Sequence, residues 1–583
     1  MTAASATAKK ASWFPIGAAV RATLAEGYNL EKFKRDMVAA FVVSLVALPL
    51  SMALSIAVGL PPQHGLYTAI IAGFVTPLLG GSKVQVSGPT AAFVVILAPI
   101  VSEYGLHGLI WCQLIAGAFL LLFGVLRLGR LISYVPYPVT TGFTAGIAVI
   151  LGVISLNDML GLGLNLSKGH FPEKVSLLAQ NIGNTNPYEA AVGLTALLLI
   201  IYGQKIIRII PSTILGVGAA IGLSMLFANM GHPVETLASK FHYTALNGTI
   251  MPGIPPYAPS INMPTHTPGQ WYTIPSVAEF KIYLYPALVI AFLAALESLL
   301  SATVADSMAR TKHNPNAELL GIGFGNLASG LCAGIPATGA IARTAALINN
   351  GGISPFASAI HALLILAYMM VLAPYIGKIP MAALAAILIN TAYRMSHWRQ
   401  FVHTVKIAPR SDVAVLLVCF VLTVAIDMVA GVSVGMAMAA LLLMKRITEM
   451  THIELENNKA PDALTEDAIS HLPRDVMVYR IRGPLFFSTA EKVMDQADFM
   501  LEHVKTLVVD MADVDFIDMS GLVAIQSLVE TVIHGKRRIM LVGHSNVLKR
   551  VQRKLDASPM AGKVDYVSHM AEVANAITAF KAA

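Results

Sequence analysis

The sequence predicts a polytopic α-helical membrane protein: fourteen transmembrane segments built as two inverted seven-segment halves with a half-helix in each, followed by a small cytoplasmic α/β domain. Three observations predict this. Of 583 residues, 56% are hydrophobic and only 13% are charged, with mean hydropathy +0.67, whereas ordinary soluble domains carry roughly 25% charged residues. Apolar runs of about spanning length, ~20 residues, recur from Met37 to Met444. After Arg446 that bias ends, and short apolar stretches alternate with amphipathic ones.

The divisions follow in chain order: a cytoplasmic N-terminal segment (1–36), a membrane domain (37–446), a polar linker (447–471) and the C-terminal domain (472–583). Lys9, Lys10, Arg21, Lys32, Lys34 and Arg35 precede the first apolar run, and no small-residue cleavage site stands at signal-peptide distance. The segments begin near Met37, Tyr67, Pro89, Gly108, Val135, Pro187, Pro211, Ile282, Ala317, Ala342, Pro355, Ile379, Asp412 and Gly431. An even number returns the C-terminus to the cytoplasm. Basic residues agree: Lys83, Arg127, Arg130, Lys205, Arg208, Arg310, Lys312, Arg394, Arg399, Lys406, Arg410, Lys445 and Arg446 fall on the inner side. Only Lys168, Lys174, Lys240, Lys281 and Lys378 fall outside. The net charge of +7 is therefore assigned to topology and not to nucleic acid. A Pro-rich external loop, 252–275, divides the halves. Cys112, Cys332 and Cys419 lie in apolar segments without metal or disulfide spacing.

Arg343 is the outstanding residue. It follows the break Gly334-Ile335-Pro336-Ala337-Thr338-Gly339 and opens a run that ends at Asn349-Asn350-Gly351-Gly352, half a helix long. The first half holds a counterpart, Ser87-Gly88-Pro89-Thr90-Ala91-Ala92, in which Pro89-Thr90-Ala91-Ala92 answers Arg343-Thr344-Ala345-Ala346. Broken helices in matching positions of two halves point to a transporter with its site at mid-membrane. Two half-helix N-termini and a guanidinium make that site fit for a small anion. Arg343, Thr344 and Ala342 form one wall, and Ser87, Pro89, Thr90 and Ala91 the other, with Pro89 suited to the first helical position. The fork of Arg343 suits a carboxylate or sulfate better than a halide.

Glu297 lies about fifteen residues into the eighth segment, near mid-bilayer. A charge there costs roughly 2.5 to 3.5 kcal/mol on insertion scales, so it is expected to face a cavity. Protonation is a second way to lower that cost, which makes Glu297 the candidate proton carrier. The bland alternatives are a structural carboxylate or a salt bridge to Arg343. Ser301, four residues on, shares its face and either binds an ion or substrate or packs at a helix interface. Asp306 and Arg310, also four apart, read as a surface pair. Asp158 and Asp427 read as structural, and His64 as a packed loop residue. No metal cluster, nucleotide loop or nucleophile triad stands in the sequence, so neither a cofactor nor an enzyme is expected.

The tail reads strand (476–481), helix (489–503), strand (506–511), helix (519–533), strand (538–542), a helix capped by Ser545 and a last helix after Ser568. That alternation makes a sheet covered by helices.

These motifs resemble the SulP family of anion transporters, which join a seven-plus-seven inverted-repeat membrane domain to a cytoplasmic STAS domain. Pro61-Pro62-Gln63-His64-Gly65-Leu66-Tyr67, Val86-Ser87-Gly88-Pro89-Thr90-Ala91-Ala92 and Thr311-Lys312-His313 with Glu318-Leu319 and Gly325-Asn326 carry the resemblance. Within the family the likeness runs to the bacterial C4-dicarboxylic acid branch, through 88–97 and Glu297-Ser298-Leu299-Leu300. It implies import of succinate, fumarate or aspartate with protons. Sulfate or bicarbonate carriage, coupled to protons or sodium, is the alternative, and a membrane-anchored STAS signalling scaffold a further one. Leu50 and Ser51 match site-lining positions of relatives, with Leu50 in place of a common Gln. Ala342 stands where many relatives have Ser. Sodium-using bicarbonate carriers have Asp where Glu297 stands, which favours protons over sodium here. The resemblance also implies a homodimer in a bacterial inner membrane and segments one, three, eight and ten as the moving core. In the tail, Asp515-Phe516-Ile517-Asp518-Met519-Ser520-Gly521-Leu522 resembles the STAS loop. Ser520 occupies a position phosphorylated in related soluble proteins, whereas helix capping by Asp518 or Ser520 explains the same residue types. The soluble partner of this domain is not read from the sequence.

Overall fold

The computed structural model describes residues 16–132, 135–166, 169–207, 210–245, 248–265, 272–450, 452–456, 472–473, 475–490, 504–543 and 546–582. Much of the expected helix 489–503 and the capping Ser545 lie outside these residues. The chain forms two compact units, 1–436 and 437–583.

Among the described residues, twelve long helices and the short Ile341–Asn349 make up the membrane domain, and one of the twelve is broken in two, giving fourteen segments. The first half holds α1 (Leu30–Val58), α2 (Pro62–Leu79), α3 and α4 (the two parts of Ala91–Val125), α5 (Tyr137–Met159), α6 (Pro187–Ile206) and α7 (Ser212–Asn229). The second half holds α8 (Val277–Ala309), α9 (Pro315–Leu331), α10 (Ile341–Asn349), α11 (Pro355–Ile376), α12 (Met381–Met395), α13 (Arg410–Ala425) and α14 (Met428–Met450). Segments three and four run on as one helical stretch, interrupted at Gly105, whose φ of 64° and ψ of −166° are non-helical. Glycine takes that conformation without a Cβ penalty. Among the described residues, seven helices are long and apolar enough to cross a membrane by length and composition.

The halves interlock. Helices α1 to α4 pack against α8, α9 and α11, while α5 and α6 pack against α12, and α5 also against α13. Small residues allow this closeness: a Cβ on Gly142 of α5 would stand 2.6 Å from the carbonyl oxygen of Leu416 in α13. Such small-residue contacts replace the hydrophobic drive that lipid cannot supply.

In the second unit, strands β5 (His452–Glu456), β6 (Val476–Arg482), β7 (Thr506–Asp510), β8 (Arg538–Val542) and β9 (Asp565–Val567) form one sheet in that order. The β5/β6 pair is antiparallel and the rest are parallel. Helices α15 (Met519–His534), α16 (Asn546–Asp556) and α17 (Met570–Ala582) cover it. Alternation sorts the two faces. Tyr479, Ile481, Val509 and Leu541 bury against Ile525, Val529 and Val551, and Val478, Val508 and Met540 against Val573 and Ile577. Strand β5 lies inside the stretch read as linker, and the short β9 was not expected from the sequence.

Candidate functional site

The two chain breaks meet. Ser87–Gly88 (β1) and Thr338–Gly339 (β4) pair antiparallel, Ser87 opposite Gly339 and Gly88 opposite Thr338. Each strand leads into a half-helix, α3 with Thr90 as N-cap and α10 with Ala340. At nine residues, α10 spans about 14 Å, under half of a hydrocarbon core of about 30 Å.

Extended backbone at membrane depth is tolerated only where its polar groups are met inside the protein. Here side chains meet them. Ile335 N donates to Thr68 Oγ1 (2.7 Å) and Ile335 O accepts from Gln113 Nε2 (3.1 Å). Asn326 brackets Ala337, accepting from its N–H at 2.8 Å and donating to its carbonyl at 2.9 Å. Thr338 Oγ1 donates to Ala294 O (3.0 Å), and Ser298 Oγ accepts from Gly339 N (2.9 Å). On the β1 side, Val86 N donates to Thr344 Oγ1 (3.0 Å), Ala340 N to Val86 O (2.8 Å) and Ser358 Oγ to Gln85 O (2.7 Å). The buried carboxylate of Glu318 accepts from Gly81 N and Ser82 N, both at 2.9 Å, and fixes the approach to β1.

Arg343, in the first turn of α10, is 4% exposed. Its Nη2 donates to Pro89 O, immediately before the other half-helix, while Nη1 is buried without a hydrogen-bond partner. The guanidinium passes so close to Gly88 that a Cβ there would stand 2.6 Å from Nη1. Glu297 approaches the same turn from α8: its Oε2 accepts from Thr90 Oγ1 at 2.9 Å. Glu297 and Arg343 thus both bond to the Pro89–Thr90 turn. They form no ion pair with each other among the described residues, so the salt-bridge alternative does not hold. Ser301 Oγ lies 3.5 Å from Thr344 Oγ1, behind α10.

Of the expected residues, Ser87, Pro89, Thr90, Ala91, Glu297, Ser301, Arg343 and Thr344 converge on the crossing. Ser87 Oγ is buried and unpartnered. Ala342, next to Arg343 in the first turn of α10, is exposed. Leu50, half-buried, and Ser51, buried with its hydroxyl unpartnered, sit after Pro49 in α1 and make no hydrogen bond to either half-helix end. Two groups were missed. His361 of α11 is fully buried with both ring nitrogens unpartnered and lies within electrostatic reach of Arg343. Gln85, against Gly339, has no partner for either amide atom. A lone His inside an apolar run was the available signal for His361; for Gln85 there was none.

Other readings are settled by contacts. Asp306 does not pair with Arg310. It accepts from His313 N (2.9 Å) and Thr311 Oγ1 (2.8 Å) and pairs with His313 Nδ1 at 2.7 Å. The helix ends at Ala309, so Arg310 (φ 54°) leaves the i, i+4 face. His64 is packed, its Nδ1 2.6 Å from Ala333 O. Asp427 accepts from Ala430 N (2.7 Å), and Asp158 lies 3.7 Å from Lys240. In the second unit Asp518 is the N-cap of α15, accepting from Gly521 N (2.8 Å) and, through its other oxygen, from Phe487 N (3.2 Å). Ser520 lies half-buried in the first turn.

Crossed half-helices bearing a buried guanidinium, in a seven-plus-seven repeat, define a membrane anion transporter. The chain belongs to the sulfate permease family, whose profile matches residues 33–419, and the STAS domain profile matches residues 469–571. It is 35% identical to the putative sulfate transporter YvdB of Bacillus subtilis over 94% of this chain and 98% of that protein. It is 26% identical to the bicarbonate transporter BicA of Picosynechococcus over 90% and 91% of the two chains. The fold matches the inward-facing structure of the murine Slc26a9 anion transporter with a TM-score of 0.80, at 17% identity over 99% of this chain and 96% of that one.

Proposed function

We propose that this protein is a secondary active carrier of a small oxyanion of the sulfate or bicarbonate class, coupled to protons and working by alternating access. The observation that carries the reading is the buried Arg343, held at the opposite half-helix with Nη1 still free to donate. Oxygens of a doubly charged or planar anion match that fork and the N–H groups of two helix ends.

Sulfate and bicarbonate stand ahead of the C4-dicarboxylates expected from the sequence. The relatives above carry sulfate and bicarbonate in their names, and none of them is a dicarboxylate carrier by name. Glu297 is the coupling residue in this reading. Its carboxyl sits one hydrogen bond from the α3 N-cap, so its protonation state is felt where the anion binds. Protons are preferred to sodium because Glu297 accepts a hydrogen bond from Thr90 Oγ1 and no group of three or more His, Cys, Asp or Glu side chains fit to hold a metal ion occurs among the described residues. A bacterial inner-membrane location, cytoplasmic termini and a homodimer accompany the proposal. A signalling scaffold would give Glu297 and Arg343 no reason to converge on one turn.

The test is uptake into proteoliposomes of radiolabelled sulfate and bicarbonate under an imposed proton gradient, with succinate as competitor. Accumulation of either oxyanion that collapses with the gradient supports the reading. Preferential competition by succinate returns it to dicarboxylates, flux without accumulation makes it a channel, and no flux leaves the scaffold.

A further inference from the structure

Between α12 and α13 lies a ten-residue helix, Trp398–Ile407, with the sequence WRQFVHTVKI. At 100° per residue, Arg399, His403 and Lys406 form one stripe, while Phe401 and Val405 lie about 200° and 240° away from Arg399. The structure follows that division. Phe401 is buried against Ala145 and Leu416, with Val405 and Phe420 packed beside it, and Arg399, His403 and Lys406 are exposed. Trp398 and Ile407 flank the stripe on its two sides and are 61% and 67% exposed. The indole is stacked on Phe401, with centroids 5.9 Å apart and planes 9° from parallel. One edge is therefore anchored to the protein and the rest faces outward.

The charge around this helix is predominantly basic. Arg394 and Arg410 flank it and are exposed; no aspartate or glutamate occurs from Leu319 through Ser411, and the nearest acid in the chain, the half-buried Asp412, is hydrogen-bonded by Ser411 Oγ. None of Arg394, Arg399, Lys406 and Arg410 forms an ion pair among the described residues. Soluble surfaces usually interleave both signs; this one does not.

We propose that the helix Trp398–Ile407 lies in the plane of the inner membrane surface and binds the headgroups of anionic glycerophospholipids through Arg394, Arg399, Lys406 and Arg410. The occupant follows from charge and geometry together. A basic stripe without acidic partners needs anions, and an indole and an isoleucine on its flanks sit at the boundary between headgroups and acyl chains. The helix is bound at both ends to membrane helices, so its depth is set by the fold and its cations are held at phosphate level.

The test uses the whole protein in phosphatidylcholine vesicles containing brominated phosphatidylglycerol or brominated phosphatidylcholine at equal mole fraction. Fluorescence quenching assigned to Trp398, as the difference between wild type and Trp398→Phe, is expected to be about fivefold stronger for the anionic lipid. The preference should shrink with added salt in the wild type and vanish when the four basic residues are replaced by Gln. Equal quenching by the two lipids, a preference that salt leaves unchanged, or an indole out of reach of both lipids overturns the proposal. The salt series needs no variant, so it decides the matter even if the fourfold substitution does not fold.

Discussion

Replacing Gly88 by Ala tests the site with a single methyl group. The new Cβ would stand 2.6 Å from Arg343 Nη1, 3.4 Å from Cζ and 3.5 Å from Nη2. A carbon and a nitrogen do not approach to 2.6 Å, so the guanidinium must withdraw, and in doing so it leaves Pro89 O. Hydrogen bonds to charged groups contribute roughly 1.5 to 3 kcal/mol. If the displaced fork loses one such bond to the anion, affinity falls between about tenfold and a hundredfold, at 1.4 kcal/mol per tenfold. Isothermal titration of purified protein with sulfate and with bicarbonate reads this directly, with gel filtration confirming an intact fold. Gly73→Ala controls for crowding alone: its Cβ meets Ser87 O at 3.3 Å and not Arg343, and its backbone lacks the positive φ of Gly88 (158°). Wild-type affinity in Gly88→Ala, with the fold intact, would show that Arg343 is not the anchor.

Three further outcomes are expected. Glu297→Gln keeps an oxygen for Thr90 Oγ1 but cannot exchange a proton, so uptake should lose its dependence on an imposed gradient; unchanged pH dependence in proteoliposomes removes the coupling role. Tyr28, ahead of α1, donates to Asp36 at 2.9 Å, and burial, then that bond, push its hydroxyl from the ordinary 10.0 up to about 12. Its contribution is fully present below pH 10 and is lost as pH rises toward 12, so wild-type thermal stability should drop across that window more steeply than that of Tyr28→Phe. Parallel curves for the two proteins would refute it. Asp518→Ala removes the α15 cap and the bond from Phe487 N and should destabilise the C-terminal domain by about 1 to 2 kcal/mol, read from urea midpoints. An unchanged midpoint would count against the capping role.

Much of the fold was legible because lipid restricts what a chain can do. Apolar runs marked all fourteen segments, and strand 538–542 of the tail matched β8 residue for residue. The half-helices were legible because glycine and proline cluster at Gly88-Pro89 and Gly334-Ile335-Pro336, just ahead of each short run. What escaped depended on three-dimensional meeting. Gly105 breaks a helix that hydropathy divides only approximately. His361 and Gln85 become notable only when the crossing brings α11 and the approach to β1 together. Spacing suggested Asp306 with Arg310, but the helix stopped one residue too soon and His313 turned back onto the carboxylate. Strand β5, only five residues long, hid inside a polar stretch too short in pattern to separate from a linker.

The antiparallel meeting of Ser87–Gly88 with Thr338–Gly339 has a consequence for assembly. Seven segments made alone would leave an open ladder in hydrocarbon, with the amide of residue 340 and the carbonyl of residue 86 each short of its mate. Such a fragment could close only by pairing with another copy inserted upside down. Carrying both halves in one polypeptide makes that pairing intramolecular and lets the halves differ, so that one supplies the guanidinium and the other the glycine that makes room for it.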